Sequence, residues 1–117
     1  MRAAALLVML GAVACGEDVT PAEAQQQAKA IWDERCTNCH GPRGLGDGPG
    51  ALILQTKPRA LADSGWQASV TDEHIATVII DGGQSVGKSP DMAANPDLKA
   101  RPEVLDALVK HVRSLAP

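Results

Sequence analysis

A chain of 117 residues with two tryptophans, no phenylalanine and no tyrosine has very little ring area from which to build an interior. Aromatic side chains are the largest apolar contributors to small cores, and a domain of this size buries only a modest share of its surface. A chain so composed needs a bound group, a metal or covalent staples to hold together. Its length fits one domain. Fourteen acidic against eleven basic residues, for a net charge of −3, leave no basic surface of the kind that grips a phosphate backbone, which argues against nucleic acid as a partner. No run reaches the ~18 apolar residues of a membrane-spanning helix.

The first segment reads as an address. Met1-Arg2 precedes an uncharged, mostly apolar stretch from Ala3 to Ala14, a charged n-region followed by an h-region. Ala12-Val13-Ala14-Cys15 resembles a bacterial lipobox, with Ala12 where leucine is commonest. The resemblance implies a signal peptide over 1–14, lipidation at Cys15, a tether over 15–20 and a functional domain over 21–117. A competing A-x-A site, Ala22-Glu23-Ala24, would instead release a soluble protein. Either way the chain is expected outside the cytoplasm, as a periplasmic lipoprotein held at the membrane surface or as a soluble periplasmic protein. The cysteine count agrees. If Cys36 and Cys39 are used together, Cys15 is the odd thiol, and acylation accounts for it.

The remaining chain shows helical spacing and no strand alternation. Thr20 as N-cap, Pro21 at the first position and Glu23 three residues on form a capping box. Ala24, Ala28, Ile31, Trp32 and Arg35 then recur at helical spacing as far as Cys36. Gly41 to Gly50 (GPRGLGDGPG) is a loop, and Ala51 to Leu54 reads as at most one helical turn. Ser69-Val70-Thr71-Asp72 opens a second helix through Ile75, Val78 and Ile79, stopped by Gly82-Gly83. A loop over Gln84 to Pro102 leads to a last helix, Glu103 to Leu115, with Val104, Leu105, Leu108, Val109, Val112 and Leu115 on its apolar face. The fold class expected is all-α, with loops long enough to be functional.

Cys36-Thr37-Asn38-Cys39-His40 carries the chemistry. C-x-x-C-H is the signal for covalent c-type haem attachment. Residues three apart share a helix face, so both sulfurs reach the vinyl groups of one porphyrin, and the adjacent imidazole meets the iron from the same side. Three other readings are a Cys36–Cys39 disulfide, a thioredoxin-like redox pair without its usual βαβ context, and a zinc site short of four good ligands. For the sixth position of the iron, Met92 is the only thioether beyond the leader, which takes Met1 and Met9. Met92 sits in a loop among polar and small residues, where a core-filling methionine is not expected. His74 and His111 are the competing ligands. On the last helix His111 lies beside Leu108 and Val112, which suits a packed histidine.

With these residues the stretch 22–115 resembles a class I c-type cytochrome of the small bacterial monohaem kind. The resemblance implies a cytochrome c fold, in which N- and C-terminal helices cross and a middle helix precedes a methionine loop around one covalent haem c. Trp32 matches the family's aromatic four residues before the first haem cysteine, and Ala28 its small residue one turn earlier. Leu108, His111 and Val112 match the family's Leu-x-x-aromatic-Leu pattern, with His111 in the aromatic place, so a Trp32–His111 contact is expected at the crossing. Gly48-Pro49 resembles the family's loop proline, whose carbonyl accepts the Nδ1–H of the haem histidine; Pro49 is the first choice for this role and Pro58 the second. Ile75 to Gly83 resembles the helix and glycine turn before the methionine, although Ala93 follows Met92 where the family often has proline.

A porphyrin would also supply the apolar area that missing rings do not. Leu45, Leu52, Leu54, Leu61, Ile75, Val78, Ile79 and Leu98 are its expected walls, and Arg59 and Trp66 are candidates to hydrogen-bond its propionates. With His40 and Met92 as axial ligands the iron has no open position, so the function expected is not enzymatic. It is that of a carrier of single electrons between redox proteins, docking at the haem edge through a small patch, with Lys57, Arg59, Arg43 and Lys88 as basic candidates. Two alternatives differ in class: a haem peroxidase or gas sensor with a labile Met92, and a haem-free Cys36/Cys39 thiol-disulfide oxidoreductase.

Overall fold

The computed structural model describes residues 18–117; the expected signal peptide and Cys15 lie outside the described residues. The chain begins its first helix, α1 (Pro21–Ile31), through the box foreseen from the sequence. The Glu23 amide donates to the Thr20 hydroxyl at 3.3 Å, and the Thr20 amide donates to the Glu23 carboxylate at 2.9 Å. Two otherwise unpartnered backbone ends are thereby satisfied or closed off.

The helix does not run unbroken to Cys36. At Trp32–Cys36 it widens into one π turn, in which the Thr37 amide reaches back to the Trp32 carbonyl. The Thr37 hydroxyl donates to the Asp33 carbonyl at 2.8 Å. A π turn inserts one residue into the helical register and is frequent at functional sites. A single α turn, α2 (Thr37–His40), follows and ends at Gly41, whose φ of +76° suits glycine.

Pro49–Ile53 forms a 3-10 helix where one turn was expected. The next element, α3 (Ser64–Ser69), was not anticipated; Asp63 caps it by accepting the Trp66 amide at 2.7 Å. In α4 (Asp72–Asp81), Thr71 is the N-cap and acidic side chains occupy the first turn, which favours the positive end of the helix. Gly82, at φ +83°, ends it. Short 3-10 helices at Gly83–Val86 and Pro96–Ala100 interrupt the expected loop, and α5 (Pro102–Ser114) closes the chain.

Helices α1 and α5 form the most extensive helix pair. Ala24 and Ala28 on α1 and Ala107 on α5 are all buried, and small side chains let two helix axes approach closely. Around them Trp32, Leu98, Val104 and Leu108 are almost wholly removed from solvent, with Ile75 and Ile79 joining from α4. Among the described residues there is no strand, so the all-α expectation holds. No described helix is long and apolar enough to cross a membrane.

Candidate haem site

The five residues Cys36 to His40 lie on the π turn and α2, held from below by the next loop. Gly48 packs against the Thr37 and Asn38 carbonyls so closely that a Cβ would collide with both, and its amide donates to the Cys39 carbonyl at 3.2 Å. Both thiols are half-buried and free, with no disulfide between them. Burial pushes the Cys36 thiol up to about 11, against the pull of the neighbouring Arg35 charge. That is the reverse of the acidified thiol a disulfide exchanger needs. Among the described residues no group of three His, Cys, Asp or Glu side chains is arranged to hold a metal ion, so the zinc reading finds no site.

His40 is oriented by its backbone surroundings. Its Nδ1–H donates to the Arg59 carbonyl at 3.1 Å. A carbonyl only accepts, so this contact places the proton on Nδ1 and leaves the Nε2 lone pair as the coordinating atom. Burial lowers the imidazole's affinity for a second proton, with the Arg59 contact acting in the opposite sense. The Trp32 ring stacks on the imidazole at 6.3 Å and 25°.

The acceptor is a correction to expectation. Pro49 opens a 3-10 helix whose flanking Gly48 and Gly50 close on Thr37 and Asn38, and Pro58 falls one residue short of the acceptor. Arg59 therefore serves through its carbonyl, while its side chain is exposed. Backbone acceptors carry no side-chain signature, so only the path of the loop could select among them.

Met92 is half-buried on the loop that follows α4. The Gly83 amide donates to its carbonyl at 3.0 Å. A Cβ on Gly83 would collide with the Ser89 carbonyl and lie 3.3 Å from the Met92 Cβ, so the loop closes over this glycine. Asn95 completes the turn: its amide and side chain both donate to the Ile79 carbonyl, each within 3.1 Å. Arg35, next to Cys36, donates to Asn95 at 3.2 Å and to Asp97 at 3.0 Å. The methionine loop is thus strapped to the segment that bears the cysteines.

Of the other candidates, His111 packs on Trp32 at 4.9 Å and 53°, the contact expected at the crossing. His74 lies in the first turn of α4, its amide bound to the Thr71 hydroxyl at 3.1 Å. Trp66 packs half-buried against the core. Leu61, Ile75, Ile79 and Leu98 are buried, whereas Leu45 and Leu52 are exposed, with Ile53 beside them. Two free thiols one turn apart, an imidazole presenting Nε2 and exposed aliphatic side chains on adjoining loops are a donor set and surroundings that fit haem.

A helical frame with crossed terminal helices around such a segment defines a protein of the covalent haem-binding class. The chain belongs to the cytochrome c family, whose sequence profile matches residues 25–116. It is similar to the solved structure of the KustC0563 c-type cytochrome, at 30% identity and a TM-score of 0.57, over 77% of this chain and 98% of that one. No curated protein matches the chain. Membership carries covalently bound haem c and haem-based electron transfer with it.

Proposed function

We propose that this chain is a monohaem electron carrier outside the cytoplasm, held at the membrane surface through a lipid on Cys15 and passing single electrons between redox protein partners. The observation that carries the reading is the imidazole of His40, held by the Arg59 carbonyl with Nε2 left to coordinate, beside two free thiols. Cys36 and Cys39 would supply the two thioether links of a haem c, and His40 and Met92 would be the protein ligands to its iron. The haem supplies a one-electron ferric/ferrous couple, whose potential a methionine ligand raises. Trp66 and the Arg59 side chain are assigned to its propionates. Partners dock through a small transient patch near the attachment segment, with the exposed Arg43 and Lys88 as candidates for its charge, along with Lys57, whose ammonium also donates to the Ala51 carbonyl. With His40 and Met92 both serving as ligands, the haem would work by outer-sphere electron transfer.

Mass spectrometry of the native product together with its absorption spectrum tests this. One haem, acyl chains on Cys15 and a methionine–iron charge-transfer band are the expected result. Met92→Ala removes that band and lets the reduced protein take up carbon monoxide. A product lacking a Soret band refutes the proposal; rapid carbon monoxide uptake by the wild-type protein favours a peroxidase or gas sensor.

A further inference from the structure

The contact between His40 and the Arg59 carbonyl is only as firm as the loop that carries Arg59, and that loop has no helix of its own. Its backbone anchors are few. The Ala62 amide donates to the Gly44 carbonyl and the Asp63 amide to the Ala60 carbonyl, both at 3.1 Å. On the other side Gly46, whose amide donates to the His40 carbonyl at 2.8 Å, leaves room for the Pro58 carbonyl, which a Cβ would approach to 2.8 Å.

The remaining anchors are made of side chains: on the near side of Arg59, Lys57 donates to the Ala51 carbonyl at 2.8 Å. From α3, the Gln67 side-chain amide donates to the Leu61 carbonyl at 2.8 Å and to the Val112 carbonyl of α5 at 2.9 Å. Its Oε1 accepts from Arg113 at 3.0 Å, and an acceptor is the only partner a guanidinium takes, so the carboxamide has one orientation. The same guanidinium donates to the Gln67 carbonyl at 2.6 Å, the Val70 carbonyl at 2.8 Å and Asp72 at 2.7 Å. One planar fork thus binds α5, α3 and the start of α4, using the geometry that separates arginine from lysine.

The geometry points to Gln67 and Arg113 as positioning residues for His40. Together they hold the backbone around Leu61 against α5, and so keep the Arg59 carbonyl, two residues away, on the imidazole. Neither touches the ring. The inference rests on His40 being the haem ligand, as proposed above. A hydrogen bond at Nδ1 makes the ligand more basic, which favours ferric iron and lowers the potential; loosening the loop therefore raises it.

The test compares holoproteins of wild type, Gln67→Leu, Arg113→Lys and Asp72→Asn. Two quantities are read: solvent exchange of the His40 Nδ1–H by NMR, and the reduction potential. In Gln67→Leu, which removes the one side-chain bond to the Leu61 carbonyl, and in Arg113→Lys the exchange rises about tenfold, and the potential rises. The amides of α1, which report global opening, keep their rates. Asp72→Asn keeps an oxygen acceptor for the Arg113 Nε–H and leaves the bonds to Gln67 and Val70 in place, and changes neither quantity. If Gln67→Leu yields no holoprotein, Arg113→Lys decides. Variants that melt earlier yet keep wild-type exchange and potential overturn the inference, as does an equal effect from Asp72→Asn. A wild-type product with no Soret band refutes the haem reading and this one with it, before any variant is compared.

Discussion

His111 packs its ring into the crossing of α1 and α5, yet its Nε2 is buried without a hydrogen-bond partner, alone in this among the described side chains. A buried polar atom left unpaired costs about 1–3 kcal/mol. Because the residue as a whole is only half-buried, the low end of that range applies. His111→Phe keeps an aromatic ring on Trp32 and removes the unpaired nitrogen. The variant is expected to be more stable by about 1 kcal/mol at neutral pH, which for a domain of this size raises Tm by about 4–8 °C.

Acid widens the gap. Burial pushes the His111 imidazole below its ordinary value of 6.5, with Lys29 adding to the effect and Asp33 opposing it. Lys29 and Asp33 are paired with each other at 2.6 Å, so burial dominates. The unfolded chain then takes up a proton at a higher pH than the folded one. The wild type holds its full stability above the unfolded value, loses it as pH falls below that value, and levels off beneath the folded value. The phenylalanine variant lacks this limb. Guanidinium titrations of both holoproteins across neutral and mildly acid pH, followed by tryptophan fluorescence and far-UV circular dichroism, measure the difference. A variant no more stable than wild type at neutral pH, or one with an unchanged difference on acidification, refutes the reasoning.

Gly83→Ala forces a Cβ onto the Ser89 carbonyl and toward Met92; loss of the methionine–iron band with haem still attached is expected, read by absorption spectroscopy. Ala28→Leu overfills a position that is 1% exposed in the helix crossing and costs about 1–3 kcal/mol, measurable by denaturant titration. Arg35→Met removes the bonds to Asn95 and Asp97, and the small fall in Tm it causes at low salt disappears at high salt. Arg35 holds the Asp97 carboxyl below the usual carboxylate range. That contribution is present above the unfolded carboxylate value and fades as pH falls through the folded one, so the Tm difference between Arg35→Met and wild type closes in acid.

What could be read without the fold is what neighbours along the chain decide. Thr20, Pro21 and Glu23 begin α1, and Thr71 with Gly82 bound α4, because caps and stops act within one turn. The spacing of Cys36, Cys39 and His40 announces haem for the same reason: i and i+3 face one way in any helix turn. The pairing of Trp32 with His111 was legible from helix faces together with the family resemblance. The short α3 has too few residues to show an apolar period; Asp63 caps it and Trp66 fastens it to the core. The acceptor for His40 is of another kind. Every residue offers the same carbonyl, so Pro49, Pro58 and Arg59 differ only in where a loop carries them. Part of that path is held by Gln67, whose side chain donates both to the Leu61 carbonyl in the loop and to the Val112 carbonyl of α5, 45 residues further along the chain. The unpaired Nε2 of His111 likewise exists only where two helices close over it. Short-range sterics and hydrogen bonding are written locally; the partner of a backbone oxygen or a buried ring nitrogen depends on which distant segments meet.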